Sequence, residues 1–171
     1  MGAKDQGANH SQYRYHVIPR TLIFITHGDD VLLLKGAPGK RIWPNLYNGI
    51  GGHVERGETV YDAAKREIAE EVGLTAISDL RLCGTINIDV GAPQLGIMLF
   101  VFTAVSHTRE VRSSREGRPQ WVDWRSLDPA TMVEDLPLLL PRVLSMKPGD
   151  PPFSARYWYD EMEKFHAAFS P

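Results

Sequence analysis

Between residues 52 and 74 the chain reads GHVERGETVYDAAKREIAEEVGL, and no other stretch limits the possible folds so tightly. Thr59 suits an N-cap, Asp62 suits a first turn, and Gly73 stands where a left-handed C-cap is usual. These signals predict a helix over residues 60–72. Tyr61, Ala64, Ile68 and Val72 form an apolar stripe at helical spacing, bordered by Val60. Beside the stripe, Glu67, Glu70 and Glu71 stand at i, i+3 and i+4, so they project within an arc of roughly 100°. One flank packs and the next carries charge. Like charges so placed destabilise a helix by a few tenths of a kcal/mol per pair unless a cation sits between them. A divalent metal is the economical cation. Ahead of the helix, Gly51, Gly52 and Gly57 bracket a loop whose backbone can approach a ligand closely.

A packed helix needs a surface to pack on, and the flanking segments supply strands. Residues 20–26 (RTLIFIT) and 31–34 (VLLL) predict a hairpin turning at residues 27–30. Their near-continuous apolar character implies burial on both faces, the middle layer of an α/β/α sandwich. Residues 76–90 and 95–105 predict two more sheet strands, and residues 118–127 a strand entering a turn. Residues 132–137 (MVEDLP) lead into a helix ending near Met146, with Glu134 or Asp135 as cap and Pro137 in its first turn. Pro141 should kink or shorten that helix. Residues 153–159 predict an edge strand, followed by a short amphipathic terminal helix containing Met162 and Phe165.

Composition excludes several classes of function. With 171 residues, 43% hydrophobic content and a formal charge of -2, the chain suits one globular domain over residues 13–171, after a flexible leader at 1–12. A near-neutral charge gives no general attraction to a nucleic acid polymer. The lone Cys83 reads as a buried thiol in a reducing compartment, and no apolar run reaches the roughly 18 residues that span a bilayer. A cytoplasmic protein, without membrane contact, is the expectation. His10 and His16 lack a metal-spaced partner and read as surface groups. Lys35 follows directly on a strand end, which makes it a phosphate-binding candidate; Lys40 and Arg41 belong either to the same role or to a solvated loop.

Residues 52–74 resemble the Nudix box at every fixed position: Gly52, five residues, Glu58, seven residues, Arg66-Glu67-Ile68, then Glu70-Glu71 and Gly73-Leu74. That resemblance implies a Nudix-type α/β/α sandwich with a mixed central β-sheet and a loop-helix-loop carrying the chemistry. It implies hydrolysis of a nucleoside diphosphate linked to another moiety, with Glu67, Glu70 and Glu71 holding metal beside the Gly51 carbonyl. Hard oxygen donors favour Mg²⁺, with Mn²⁺ as a substitute, over zinc. Arg66 and Glu58 complete the catalytic set as orienting partners, and which glutamate is the base stays open. Tyr47-Asn48-Gly49-Ile50-Gly51-Gly52 is similar to the lead-in of the MutT-like branch, which acts on oxidised purine nucleoside triphosphates. There Asn48 would bond a base edge; the other reading is a turn residue before Gly49. Tyr47 and Trp43 either stack on a base or pack on the sheet. Glu116, ahead of Arg118-Pro119-Gln120-Trp121, matches a further metal-approaching glutamate of that branch, or is a loop charge. Glu134 and Asp135 match its base-reading acidic pair, or simply cap the helix. The implied activity is a (d)NTP pyrophosphohydrolase, acting as a monomer or homodimer on small nucleotides. ADP-ribose or dinucleoside polyphosphates are the alternative substrates, and a nucleotide sensor without catalysis the alternative function.

Overall fold

The computed structural model describes residues 14–170; the expected leader and His10 lie outside the described residues. Strand β1 (His16–His27) turns at Gly28 into β2 (Asp30–Gly36), the expected hairpin, with β1 starting four residues earlier than the apolar run suggests. A two-residue β3 (Tyr47–Asn48) precedes helix α1 (Val60–Val72). Strands β4 (Ile77–Ala92), β5 (Leu95–Ser106) and β6 (Gly117–Val122) follow, then helix α2 (Leu136–Ser145), β7 (Phe153–Tyr159) and β8 (Phe165–Ser170). The sheet runs β3-β2-β1-β5-β4-β7-β8, with β6 also on β2. It is mixed: β1 with β5 and β4 with β7 are parallel, and the other pairs antiparallel.

Alternation along β1 and β2 sends side chains to two separate cores. Ile23, Ile25, Leu32 and Leu34 meet Ala64, Ile68 and Val72 of α1. Leu22, Phe24, Val31 and Leu33 face the other way and join Leu136, Leu139, Leu140 and Val143 of α2. A strand that must satisfy both layers has no room for a polar residue, which is why residues 22–25 and 31–34 are buried without a break. The two helices and the sheet form the α/β/α sandwich. Among the described residues no helix is long and apolar enough to cross a membrane.

Two C-terminal expectations are overturned. Strand β7 is internal, paired with β4 on one side and β8 on the other. The segment read as a terminal helix is β8, because Phe165, Ala167 and Phe169 alternate onto the α2-side core. Asp160 makes the turn: its carboxylate accepts from the N–H groups of Met162 and Lys164, and Glu163 adopts φ 57°. Helix α2 starts where expected and continues through Pro141, but Asp135 makes no side-chain capping bond, so capping does not account for it.

Candidate active site

Helix α1 begins and ends as its sequence demands. Thr59 accepts from the Asp62 N–H while the Asp62 carboxylate accepts from the Thr59 N–H, a capping box, and Gly73 closes the helix in the left-handed region. The preceding loop is fastened to the part of β1 that β2 does not reach. Ile50 and Ile23 exchange backbone bonds of 3.1 and 2.7 Å, and the Thr21 N–H donates to the Gly52 carbonyl at 2.8 Å. Gly51 adopts φ 152°, and a Cβ there would lie 2.1 Å from the Thr21 carbonyl oxygen. A Cβ on Gly52 would lie 2.4 Å from Glu67 Oε1. The two glycines thus let the loop press on β1 beneath and receive a carboxylate above.

Glu71 is 6% exposed, and its Oε2 accepts the Gly51 N–H at 3.1 Å. Burial pushes its carboxyl up to about 7; the Gly51 bond and Lys40 pull it back, while Glu67 and Glu116 push it further. Arg66 gathers the other acids. Its Nε and Nη2 hold both oxygens of Glu58 at 2.7 and 3.1 Å, and its Nη1 reaches Glu67 at 2.7 Å and Glu70 at 3.3 Å. Nη2 also donates to the His53 carbonyl at 2.9 Å. These bonds keep Arg66 charged and hold the Glu58 carboxyl below its ordinary range, chiefly through Arg66 itself and then the Glu55 N–H. Glu116 ion-pairs with Lys40 at 2.8 Å, and both lie in the electrostatic field of Glu71. Lys40, one of two readings of a loop charge, therefore stands at the site.

The donor set suits a hard divalent cation: a carboxyl raised first by burial and then by neighbouring acids is the charge such an ion neutralises. Side-chain placement does not present three acids to one point, since among the described residues no three His, Cys, Asp or Glu groups stand close enough to hold an ion. Glu67 and Glu70 lean on Arg66 instead, and Glu70 has the reach to swing, its side chain being 61% exposed.

The expected substrate-binding residues lie elsewhere. Lys35 pairs with Tyr47 in the sheet and its Nζ stands 5.2 Å from the Tyr47 ring centroid. Tyr47 is buried in the α2-side core with its hydroxyl on Gln120, so it packs on the sheet. Asn48 takes the turn arrangement, its Oδ1 accepting the Gly49 N–H at 2.8 Å. Trp43 is exposed, at φ 55°. Met132 bridges Tyr47, and the Val133 N–H donates to the Tyr47 carbonyl at 3.0 Å, which carries residues 132–135 across from β3 toward α2. Glu134 accepts from the Tyr159 hydroxyl. Asp135 is pushed up to about 7 by burial and by Glu134. Tyr159 and the buried Tyr157 were missed from sequence. Their signal is the inward alternation Phe153, Ala155, Tyr157, in which a hydroxyl occupies a core position.

The carboxylate helix, its glycine loop and the sandwich agree with what the chain is similar to. A NUDIX domain model matches residues 16–143. Oxidized purine nucleoside triphosphate hydrolases of Danio rerio and Mus musculus are each 34% identical over 128 residues, 74% of this chain and 80% of the relative. Among solved structures, a MutT protein from Bacillus halodurans superposes with a TM-score of 0.74 at 24% identity, covering 91% of this chain and 99% of that one. A MutT protein from Methanosarcina mazei gives 0.62 at 21% identity, covering 78% and 96%. A match over most of the chain, centred on this helix and loop, makes the protein a member of the Nudix family and places it among the MutT-like hydrolases of phosphoric anhydrides.

Proposed function

We propose that the protein is a Mg²⁺-dependent pyrophosphohydrolase of nucleoside triphosphates, with oxidised purine nucleotides as substrates, giving a nucleoside monophosphate and pyrophosphate. The observation that carries this reading is the acid cluster of α1: Glu71 buried on the Gly51 N–H, with Glu67 and Glu70 held beside it by Arg66. The substrate class is supported by the names of the two relatives that match over most of their length.

Glu67, Glu70 and Glu71, with the Gly51 carbonyl and Glu116, would hold Mg²⁺, or Mn²⁺ in its place. When bound, the cation supplies Lewis-acid polarisation of the phosphates and neutralises the acid cluster. The chain's own groups do the rest. Arg66, locked by Glu58, positions Glu67 and Glu70; it reaches them as the orienting partner and not as a substrate ligand. One glutamate oxygen of the trio takes a proton from a water whose oxygen bonds to phosphorus in line. The anhydride bond between the α- and β-phosphates breaks, and pyrophosphate departs from the nucleoside monophosphate. Lys40 supplies positive charge for the phosphates, whereas Lys35, paired with Tyr47, stands on the other face of the sheet. On the α2 side, Asp135 and Glu134 offer donors and acceptors to a base, and Asn48, level with Leu34 on the other face, offers an amide. A free buried thiol at Cys83 fits a cytoplasmic site of action.

The test is a panel of canonical and oxidised nucleoside triphosphates, ADP-ribose and dinucleoside polyphosphates, incubated with purified protein and Mg²⁺ and assayed for pyrophosphate and, by chromatography, for the nucleotide products. Pyrophosphate release from an oxidised purine triphosphate with the highest kcat/KM is expected. Preferred cleavage of ADP-ribose or a dinucleoside polyphosphate would overturn the substrate assignment. Tight binding without turnover anywhere in the panel would make the protein a nucleotide sensor.

A further inference from the structure

The sheet ends on one side at β8, and among the described residues that strand pairs with β7 alone. Its six residues follow β7 without a register shift. Along an antiparallel ladder alternate residues turn their N–H and C=O groups to opposite sides, so every second residue of β8 offers both groups outward. Natural sheets blunt such edges by brevity, by lysine or by proline. The opposite end of this sheet follows that rule: β3 is two residues long, and β6 carries Arg118 and Pro119. Strand β8 does not. It reads FHAAFS, with no lysine, arginine, acid or proline.

The strand is also complementary to itself. Laid antiparallel on a second copy about Ala167, Phe165 falls opposite Phe169 of that copy, His166 opposite Ala168, and Ala167 opposite its own equivalent. Opposed residues point to the same face. Phe165, Ala167 and Phe169 are half-buried at the rim of the α2-side core, where Phe165 packs edge-on to Tyr157 at 5.0 Å and Phe169 to Phe153 at 5.7 Å. Two Phe165–Phe169 pairs would carry this aromatic row across the junction and finish burying it. On the other face Ala168 is exposed and small, which leaves room for the His166 ring stacked on Trp158. Charge sets the direction. The Arg142 guanidinium lies 4.5 Å from the Phe169 ring centroid at one end of the strand, and the turn at the other end holds Asp160, Glu161 and Glu163 against Lys164. Antiparallel pairing turns the basic end of each copy to the acidic end of the other, whereas parallel pairing would set Arg142 beside Arg142.

We propose that the outer edge of β8 is a self-association surface, on which a second copy of this chain pairs antiparallel about Ala167 and joins the two sheets into one. Such a contact uses the same patch on both copies and closes at two, so it makes dimers and not fibres. A six-residue edge with its flanking side chains is small among specific interfaces, which sets the dissociation constant in the micromolar range. The inference goes beyond the hydrolase reading and does not rest on it. Strand β1, which holds the glycine loop, lies four strand spacings from β8, about 19 Å, so the dimer leaves both candidate active sites open.

The experiment is sedimentation velocity of the whole chain, loaded from about 1 µM to about 500 µM to bracket micromolar dissociation constants. Wild type should pass from monomer to dimer over that range and stop at two. Ala168→Lys adds a charge that water solvates in the monomer, while in the dimer two such lysines stand on the diagonal across the axis. It should raise the dissociation constant about tenfold or more and leave far-UV circular dichroism and the thermal midpoint at the lowest loading unchanged. Mixed with Ala168→Glu, the lysine variant should form a dimer about threefold tighter or more than it forms with itself, because one lysine then meets a carboxylate. That recovery separates a clash across β8 from a variant that folds poorly. A wild type that stays monomeric throughout would overturn the proposal. So would Ala168→Lys dimerising as tightly as wild type, or a mixture no tighter than Ala168→Lys alone.

Discussion

Arg66 contacts four groups at once, and the two sides of its network behave differently. Glu58 and the His53 carbonyl hold it from the loop, while Glu67 and Glu70 take what remains of its charge on the helix. Removing the anchor strands three acids together, so Arg66→Met should cost on the order of 1–3 kcal/mol in urea unfolding and lower kcat as well. Changing an acid is gentler on the fold. Glu71→Gln keeps an acceptor for the Gly51 N–H and deletes a charge that burial disfavours, and Glu70 is mostly exposed. Glu70→Gln and Glu71→Gln should therefore cut Mg²⁺-dependent turnover by orders of magnitude while unfolding midpoints hold; near-wild-type turnover in both would remove these acids from the mechanism. Asp135 gives a pH test away from that cluster. Its carboxyl is raised from 3.8 to about 7 in the fold, facing Glu134, Tyr157 and Tyr159, with Arg142 acting on Tyr157. A raised acid stabilises the fold fully below its unfolded value and loses that contribution as pH climbs through its folded one. Asp135→Asn should consequently gain on wild type between pH 4 and 8, reaching on the order of 2 kcal/mol at pH 8; the full shift would give more, but the residue is partly solvated. Parallel stability curves for the two proteins across that range would exclude the assignment.

Helix α1 was legible because every signal for it is local. Caps, stripe and carboxylate arc are all read within residues 59–73, and the helix occupies Val60–Val72 as predicted. Burial of β1 and β2 on both faces was legible for the same reason, in an unbroken apolar run. What escaped reading depends on partners far along the chain. The β8 alternation Phe165, Ala167, Phe169 has meaning only once β7 lies beside it, and Met162 with Phe165 imitates a helical spacing. Asp135 stands at a helix start with a good capping side chain, yet its carboxyl makes no capping bond; no sequence pattern distinguishes the two. Lys40 and Glu116 meet only because β6 lies against β2, which brings the Ala37 N–H to the Glu116 carbonyl at 3.1 Å. The loop before α1 offers a discriminating pair of substitutions. A Cβ at Gly51 meets the β1 backbone, and one at Gly52 meets the far end of the Glu67 side chain. Gly51→Ala should destabilise by about 2 kcal/mol or more, with strained φ added to the clash. Gly52→Ala should leave stability within about 0.5 kcal/mol and lower kcat at least tenfold, because Glu67 must move. Equal losses of stability in the two would mean that the loop and not the carboxylate is what Gly52 protects.

The sandwich places the acid-bearing helix α1 and the α2-side core on opposite faces of one sheet, with β1 common to both. Thr21 meets the glycine loop, its hydroxyl accepting the Gly52 N–H at 3.5 Å, while Leu22, its neighbour, faces the α2 core. Neither core depends on an ion: the α1 core rests on Ile23, Ile68 and Phe102, and the α2 core on Phe24, Leu139 and Tyr157, all nearly inaccessible to solvent. Burying such side chains contributes roughly 1.5–3 kcal/mol each, whereas the acid cluster is a local debit within a fold that is otherwise complete. Removing divalent metal with EDTA should thus abolish turnover and leave far-UV circular dichroism and cooperative unfolding unchanged. Restoring Mg²⁺ should raise the midpoint, because an ion bound only by the folded form stabilises it by RT ln(1 + [Mg²⁺]/Kd), about 2.7 kcal/mol at a hundredfold excess over Kd. That increment should shrink in Glu71→Gln, which starts with one negative charge fewer at the cluster, and survive in Tyr157→Phe, whose change lies on the other face. Unfolding on chelation, or an equal Mg²⁺ increment in wild type and Glu71→Gln, would show that the ion binds somewhere other than this helix.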